Sequence, residues 1–278
     1  MEGVLVPVLT PFDSDLNPDP ERLLRHCREL LAQGCSALAV FGTTSEANSL
    51  SVEERERLLD HLLDNGIQPA QLLPGTGCCS ISDTVRLTRK VAGCAGVLML
   101  PPFYYKGVSE EGIYRSFATV IDRAPGARVY LYHIPQFTAV GIPLRVIHRL
   151  RAAYGETVAG IKDSSGDFEN TKAILREVPG FEVFVGTEKF LLRNLQEGGK
   201  GCITATANVN APAIVRAWRE RSEEAQKRID VVRNTYENYP MISALKETIA
   251  RRTGDPQWRA VRPPLVELSD EQRSTLAA

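Results

Sequence analysis

Short runs of consecutive apolar residues alternate along the whole chain with longer stretches in which apolar positions recur every three or four residues. The runs predict strands over Val4–Leu9, Ala37–Phe41, Gln71–Pro74, Gly96–Leu100, Arg128–His133, Thr157–Lys162, Glu182–Gly186 and Gly201–Thr204. The stretches between them predict amphipathic helices. One opens on a capping box, Ser51-Val52-Glu53-Glu54, and sets Leu58, Leu59, Leu62 and Leu63 on one face. Ser109 and Asp167 stand where N-caps belong for the helices after the fourth and sixth strands.

Eight strand–helix units starting about 28 residues apart predict an α/β fold of the TIM (β/α)8 barrel type, in which ~250 residues divide among eight such units. The runs are continuously apolar rather than alternating, as expected of parallel strands covered on both faces. A doubly wound open sheet is the rival. Against it, the first strand leads into Thr10-Pro11-Phe12-Asp13, with no glycine-rich dinucleotide turn. No linker interrupts residues 1–220, which are expected to form the barrel. From Arg221 onward the pattern is helical only. Ile229, Val232 and Tyr236 form one apolar stripe and Ile242, Leu245 and Ile249 another, predicting a C-terminal helical extension over 221–278. Arg262-Pro263-Pro264-Leu265 is expected to break the helix before the tail.

Composition narrows the function classes. The 278 residues are 43% hydrophobic and 24% charged, which excludes global disorder. Thirty-three basic against thirty-four acidic residues give a net charge of −1, so no bulk field attracts nucleic acid or an anionic membrane. No apolar run approaches the ~18 residues of a membrane span, and Met1-Glu2-Gly3-Val4 lacks the basic start of a signal peptide. Cys27, Cys35, Cys78, Cys79, Cys94 and Cys202 include no C-x-x-C pair and are expected as free thiols in a reducing cytoplasm. His26, His61, His133 and His148 are scattered, so no metal site is expected.

In a barrel the chemistry sits at the C-terminal strand ends. Of eight lysines, Lys162 alone ends an apolar strand and is expected to point into the barrel mouth. Burial disfavours an ammonium, and a neutral amine can attack a carbonyl to form a Schiff base. A plain ion pair with Asp163 would explain the same position equally well. Gly42-Thr43-Thr44-Ser45-Glu46 after the second strand offers N–H and hydroxyl donors to a carboxylate, or is simply a capped loop. Tyr130 and Tyr132 share a side of the fifth strand; Tyr132, nearer its end, is a proton shuttle or a core aromatic. Tyr104 and Tyr105, on the loop after the fourth strand, suit an interface or a lid.

With Gly75-Thr76-Gly77, Tyr132-His133-Ile134-Pro135, Gly160-Ile161-Lys162-Asp163 and Gly201-Cys202-Ile203-Thr204-Ala205-Thr206-Ala207-Asn208, these motifs resemble the dihydrodipicolinate synthase / N-acetylneuraminate lyase family of pyruvate-handling class I aldolases, from about Gly3 to Leu265. The resemblance implies that Lys162 is the Schiff-base lysine and Tyr132 the tyrosine assisting imine formation and proton transfer. It implies that Thr43 links that tyrosine to the relay and Thr44 binds the keto acid's carboxylate, with Ile203 packing against the keto acid. Tyr105, or Tyr104 if the loop aligns one residue differently, is the tyrosine reaching into a neighbouring subunit. A homotetramer, a small-molecule 2-keto acid substrate and no cofactor are implied too.

Three departures bear on the substrate. Ser45 replaces the family's second glycine, so the loop is expected to take a different backbone. His133 stands in place of an asparagine, a donor or acceptor near substrate or a satisfied histidine behind it. Phe137 stands where dihydrodipicolinate synthases carry the arginine that clamps the second carboxylate, and an aromatic ring cannot replace that fork. Gly186 and Glu188, with Lys189, lie where related lyases hold a sugar acid's hydroxyl tail. The leading expectation is therefore a Schiff-base lyase, aldolase or dehydratase, acting on pyruvate or a longer 2-keto acid such as a 2-keto-3-deoxy sugar acid. The alternatives are 4-hydroxy-tetrahydrodipicolinate synthase with a clamp from elsewhere, such as Arg145; a phosphate-binding barrel; and a non-catalytic ligand-binding barrel.

Overall fold

The computed structural model describes residues 1–276, so the last two residues of the expected extension lie outside it. Seven parallel strands, β1 (Gly3–Val6), β2 (Ala37–Leu38), β3 (Val97–Met99), β4 (Val129–His133), β5 (Val158–Asp163), β6 (Glu182–Val185) and β7 (Gly201–Ile203), form a curled sheet in the order β2-β1-β7-β6-β5-β4-β3. Residues 72–75 bridge its two edges. The Leu73 and Gly75 N–H groups donate to the Leu38 and Val40 carbonyls at 2.9 and 2.8 Å, and on the other side Leu98 N–H donates to the Pro74 carbonyl at 2.8 Å. The ring closes as the eight-membered barrel that the sequence predicts. This eighth segment falls short of a full strand because Pro74 has no N–H to give β3.

The other strands are shorter than the apolar runs. Pro7 ends the β1 ladder for want of a donor. Phe41, at φ 60°, turns the chain out of line beyond β2.

Helices α1 (Pro20–Ala32), α2 (Val52–Asp64), α3 (Ile81–Lys90), α4 (Glu110–Arg123), α5 (Pro135–Thr138), α6 (Leu144–Tyr154), α7 (Phe168–Glu177), α8 (Leu191–Gln196) and α9 (Ala207–Glu220) follow in turn. The Ser51 capping box opens α2, Ser109 accepts from Gly112 N–H to open α4, and Asp167 accepts from Glu169 N–H to open α7. Each such cap contributes about 1 kcal/mol.

Alternation along the strands separates two cores. Leu5, Leu73, Leu98, Tyr130, Phe184 and Ile203 fill the barrel, while Val4, Val6, Leu131, Ile161 and Val183 face the helices. The remaining helices, α10 (Glu223–Glu237), α11 (Met241–Thr253) and α12 (Asp270–Thr275), build a third core from Tyr236, Leu245, Ile249, Trp258 and Leu268 around Leu9, just past β1. The extension thus sits at the C-terminal end of the strands. Gly254, at φ 67°, closes α11, so that helix ends before Arg262-Pro263 is reached. Lys246 on α11 is fully buried and donates to Glu46 Oε1 at 2.5 Å and to the Ala260 carbonyl at 2.7 Å. The other Glu46 oxygen accepts the Arg262 N–H at 2.9 Å.

Candidate active site

A cavity of about 450 Å³ opens at this end of the barrel, with Thr43, Thr44, Tyr132, Lys162, Gly186 and Ile203 in its inner wall. Lys162 reaches it because β5 carries an irregularity. Val129 pairs with Val158 but Tyr130 pairs with Gly160, so Ala159 is an extra residue, and from there Gly160 and Lys162 face inward while Ile161 faces the helices. Gly160 is required at that layer, since a Cβ would stand 2.2 Å from the Glu182 carbonyl oxygen. Tyr132 pairs across from Lys162 on β4, and Phe184 flanks it on β6.

The side chains meet. Lys162 Nζ lies 3.2 Å from Tyr132 Oη and 4.3 Å from the centre of its ring, and Thr43 Oγ1 lies 3.2 Å from the same Oη. Lys162 is only 5% exposed. It is not paired with Asp163, whose carboxylate turns outward to accept from Ser165 N–H, Asn170 and Thr171 at 2.8–2.9 Å. The amine therefore lies among neutral groups, with a hydroxyl chain running to the 42–46 loop.

Ser45 does not take the left-handed backbone. The strained residue is Glu46, at φ 56°, and Ser45 uses its side chain to fasten the turn. Its hydroxyl donates to the Val8 carbonyl and accepts from Gly42 N–H at 3.2 Å. Among the described residues no protein acceptor takes the Thr43 or Thr44 backbone N–H, and the Thr44 side chain lines the cavity. Gly186 is required by close approach as well, since a Cβ would stand 2.0 Å from Ser164 Oγ.

Three expected site residues lie off the cavity wall. Glu188 is completely buried and gives its oxygens to the Thr204 and Thr206 hydroxyls, with Arg233 3.5 Å away. It fastens the loop after β7 instead of facing the space where a hydroxyl tail would lie. His133 accepts the Ile142 N–H at Nδ1, 3.0 Å, and burial pushes its imidazole down against the pull of Asp163; it is the satisfied histidine behind the site. Tyr105 and Tyr104 are 74% and 72% exposed and stack edge to face with centroids 5.4 Å apart, so within one chain neither reaches Lys162. Phe137, in α5, does line the outer cavity and is 69% exposed. Arg145 is held by Glu110 at 2.6 Å, away from the cavity.

The outer wall holds residues that the sequence reading did not place at the site. Arg233 and Glu237 on α10, and Met241 and Ile242 at the start of α11, roof the cavity. Arg233 Nε donates to Glu237 at 2.9 Å, and Lys189 donates to the other Glu237 oxygen at 3.0 Å.

Comparison with known proteins places this arrangement. The whole chain, residues 1–278, matches the model of the dihydrodipicolinate synthetase family. A protein of Chloroflexus aurantiacus described as an uncharacterized DapA-like lyase is 36% identical over 285 residues, covering 99% of this chain and 95% of that one. The 4-hydroxy-tetrahydrodipicolinate synthase of Thermus thermophilus is 34% identical over 74% of this chain and 69% of its own. Among solved structures, dihydrodipicolinate synthase from Agrobacterium tumefaciens superposes with a TM-score of 0.91 at 31% identity, covering 99% of this chain and 97% of that one. A prophage protein of the same family from E. coli K12, solved with pyruvate, gives 0.89 at 26% identity, covering 99% and 96%.

Proposed function

This chain belongs to the dihydrodipicolinate synthetase family, and on that premise we propose that Lys162 is its Schiff-base nucleophile, Tyr132 its proton shuttle, Thr43 the link that orients Tyr132, and Thr44 the carboxylate anchor. The enzyme is a class I lyase acting on pyruvate or a longer 2-keto acid. The observation that carries the residue assignment is the unbroken contact from Lys162 Nζ through Tyr132 Oη to Thr43 Oγ1, each step 3.2 Å.

The keto acid's carboxylate docks on the Thr43–Thr44 turn, where two backbone N–H groups and the Thr44 hydroxyl are available. Its C2 carbonyl then faces Lys162. Nζ adds to C2, the carbonyl oxygen takes a proton from Tyr132, and water leaves to give the iminium. For a 4-hydroxy-2-keto acid, Tyr132 as phenolate accepts the 4-hydroxyl proton. The C3–C4 bond breaks with its electron pair passing to the iminium nitrogen, and an aldehyde departs. Protonation of the enamine at C3 and addition of water return the free amine and pyruvate. Thr43 holds the phenol hydroxyl in line for each transfer, and positioned proton transfer of this kind contributes ~10²–10⁴-fold. Ile203 packs beside the keto acid, and Gly186 borders it while giving Ser164 its close approach.

A homotetramer is part of the proposal, with Tyr105 or Tyr104 crossing to a neighbour's cavity; the exposure of both rings supports it. The six unbridged cysteines support action in a reducing cytoplasm. The second reading, 4-hydroxy-tetrahydrodipicolinate synthase, has the Thermus relative in its favour, but it needs a cation for a second carboxylate. Arg233, on the cavity wall, already serves Glu188 and Glu237.

Borohydride reduction in the presence of pyruvate, followed by peptide mass spectrometry, tests the assignment. The expected outcome is a reduced pyruvate adduct on the peptide carrying Lys162, absent from Lys162→Ala. An adduct on another lysine, or none with pyruvate and longer 2-keto acids, would overturn it.

A further inference from the structure

The inner half of the cavity is polar and the outer half is not, although polar residues border both. Several polar side chains of the outer wall are already engaged within the protein, whereas the Ser164 hydroxyl makes no hydrogen bond among the described residues and the Thr187 hydroxyl accepts only the Lys189 N–H at 3.4 Å. Gln136 donates to the Ser164 carbonyl at 2.6 Å and Ser243 to the Val266 carbonyl at 2.7 Å. Arg233 and Glu237 neutralise one another, with Glu188 and Lys189 as their second partners. Most of what the outer wall presents is carbon: Phe137, Phe190, Pro240, Met241, Ile242 and Leu265. This surface is continuous with the space in front of Lys162, and Phe137 leaves most of its ring uncovered by the chain.

We infer that the fragment beyond C3 of the substrate, released or captured as the aldehyde, is apolar: an aromatic or branched aliphatic aldehyde. The inference rests on the Schiff-base reading above and names its second substrate. Beyond the Ser164 and Thr187 hydroxyls, a polyhydroxyl tail would have to compete with bonds the wall already makes, and each of its hydroxyls left unpaired would count against binding. A second carboxylate would find Arg233 neutralised. An aryl or branched alkyl group instead removes water from the faces of Phe137, Met241 and Ile242 at no polar cost. The chemistry balances without a co-reactant. The enamine's C3 attacks the aldehyde carbon, the new alkoxide takes the proton of Tyr132, and water hydrolyses the iminium to a 4-hydroxy-2-keto acid and free Lys162.

The test uses the full-length enzyme with pyruvate and benzaldehyde, isobutyraldehyde, glyceraldehyde or aspartate semialdehyde. Product formation is followed by mass spectrometry and pyruvate consumption, with borohydride trapping run alongside. The apolar aldehydes are expected to show kcat/KM at least tenfold above the other two. Phe137→Ala is expected to lower kcat/KM for benzaldehyde roughly tenfold, a clearly larger loss than for glyceraldehyde. Phe137 is on the surface, so this variant folds. A trapped imine combined with preference for glyceraldehyde or the semialdehyde, with no aldehyde turnover at all, or with an indifferent Phe137→Ala, overturns this inference alone. Failure to trap the imine overturns the Schiff-base reading beneath it.

Discussion

At Lys162 the direction of the side chain is decided by Ala159, the extra residue that shifts the phase of β5 against β4. Strict alternation from Val158 through all the residues that follow would turn the amine toward the helices and Asp163 toward the barrel. Among the described residues the phenol of Tyr132 is the one group within hydrogen-bond distance of both Lys162 and Thr43, so removing its hydroxyl tests the whole chain of contacts. Tyr132→Phe is expected to lower kcat by ~10²–10³-fold with KM for pyruvate changed only a few-fold. Thr43→Val, which leaves the phenol but frees its orientation, is expected to cost about tenfold. Steady-state kinetics with pyruvate and an accepted aldehyde checks both; a Phe variant keeping a tenth of kcat would remove Tyr132 from proton transfer. The strand-end rule put Lys162, Tyr132 and Thr43 at one rim from sequence alone, because a parallel strand's end is set by local pattern. Glu188 shows where that rule stops. It lies just beyond a strand end, where Lys162 lies within one, and the single helical turn after β6 rotates it into the protein, where two threonines hold it.

Helices α1 and α9 meet past the end of β1 through His26 and Asn208, both buried. Asn208 donates to the Pro7 and Ala205 carbonyls at 2.9 Å, and its oxygen accepts from Leu9 N–H at 3.2 Å and from the His26 imidazole at 2.9 Å. The last residue of the Gly201–Asn208 motif thus holds the rim of the site together without touching substrate. Burial pushes His26 down to about 4 from the usual 6.5, so the unfolded chain binds a proton there before the folded one does. Stability from this group is complete above about pH 6.5 and is lost as pH falls toward 4, to a limit of about 3 kcal/mol. His133 is lowered in the same direction, by burial, so its contribution too is lost on the acid side of its ordinary value. Lowered carboxylates such as Glu237, Glu247 and Asp255 act only further into acid. Urea unfolding between pH 7 and 5 is expected to show declining stability in the wild type and a flatter profile in His26→Gln, which keeps a donor for Asn208. An unchanged slope in the variant would assign the decline elsewhere. Periodicity could reveal α10 but not its second role. Arg233 and Glu237, four residues apart, read as an ordinary surface pair until the fold brings that face over the barrel mouth.

The barrel and the extension are joined at the site itself. Glu46, the last residue of the 42–46 loop, is fixed by Lys246 from α11 and by the backbone of Arg262, while the Arg262 side chain reaches Glu54 and the Leu16 and Ser49 carbonyls. Burial lowers the Lys246 ammonium to about 8 even with Glu46 beside it, so the pair is held at the cost of desolvating both charges. Its use is positional: it fixes the Thr43–Thr44 turn and the α11 roof of the cavity relative to one another. A buried pair broken on one side leaves a stranded charge, which costs ~3–5 kcal/mol, whereas replacing both partners by neutral groups of similar size is far milder. Lys246→Ala is therefore expected to lower stability by about that amount in denaturant titration and to raise KM for pyruvate as the turn loosens. Lys246→Met combined with Glu46→Gln is expected to recover most of the stability but not the KM, because neither new side chain restores the charge-assisted bonds that set the turn. Recovery of both would make the pair a packing element only. Loss of neither in the single variant would show that the extension is held by its apolar core around Leu9, with the turn positioned by Ser45 alone.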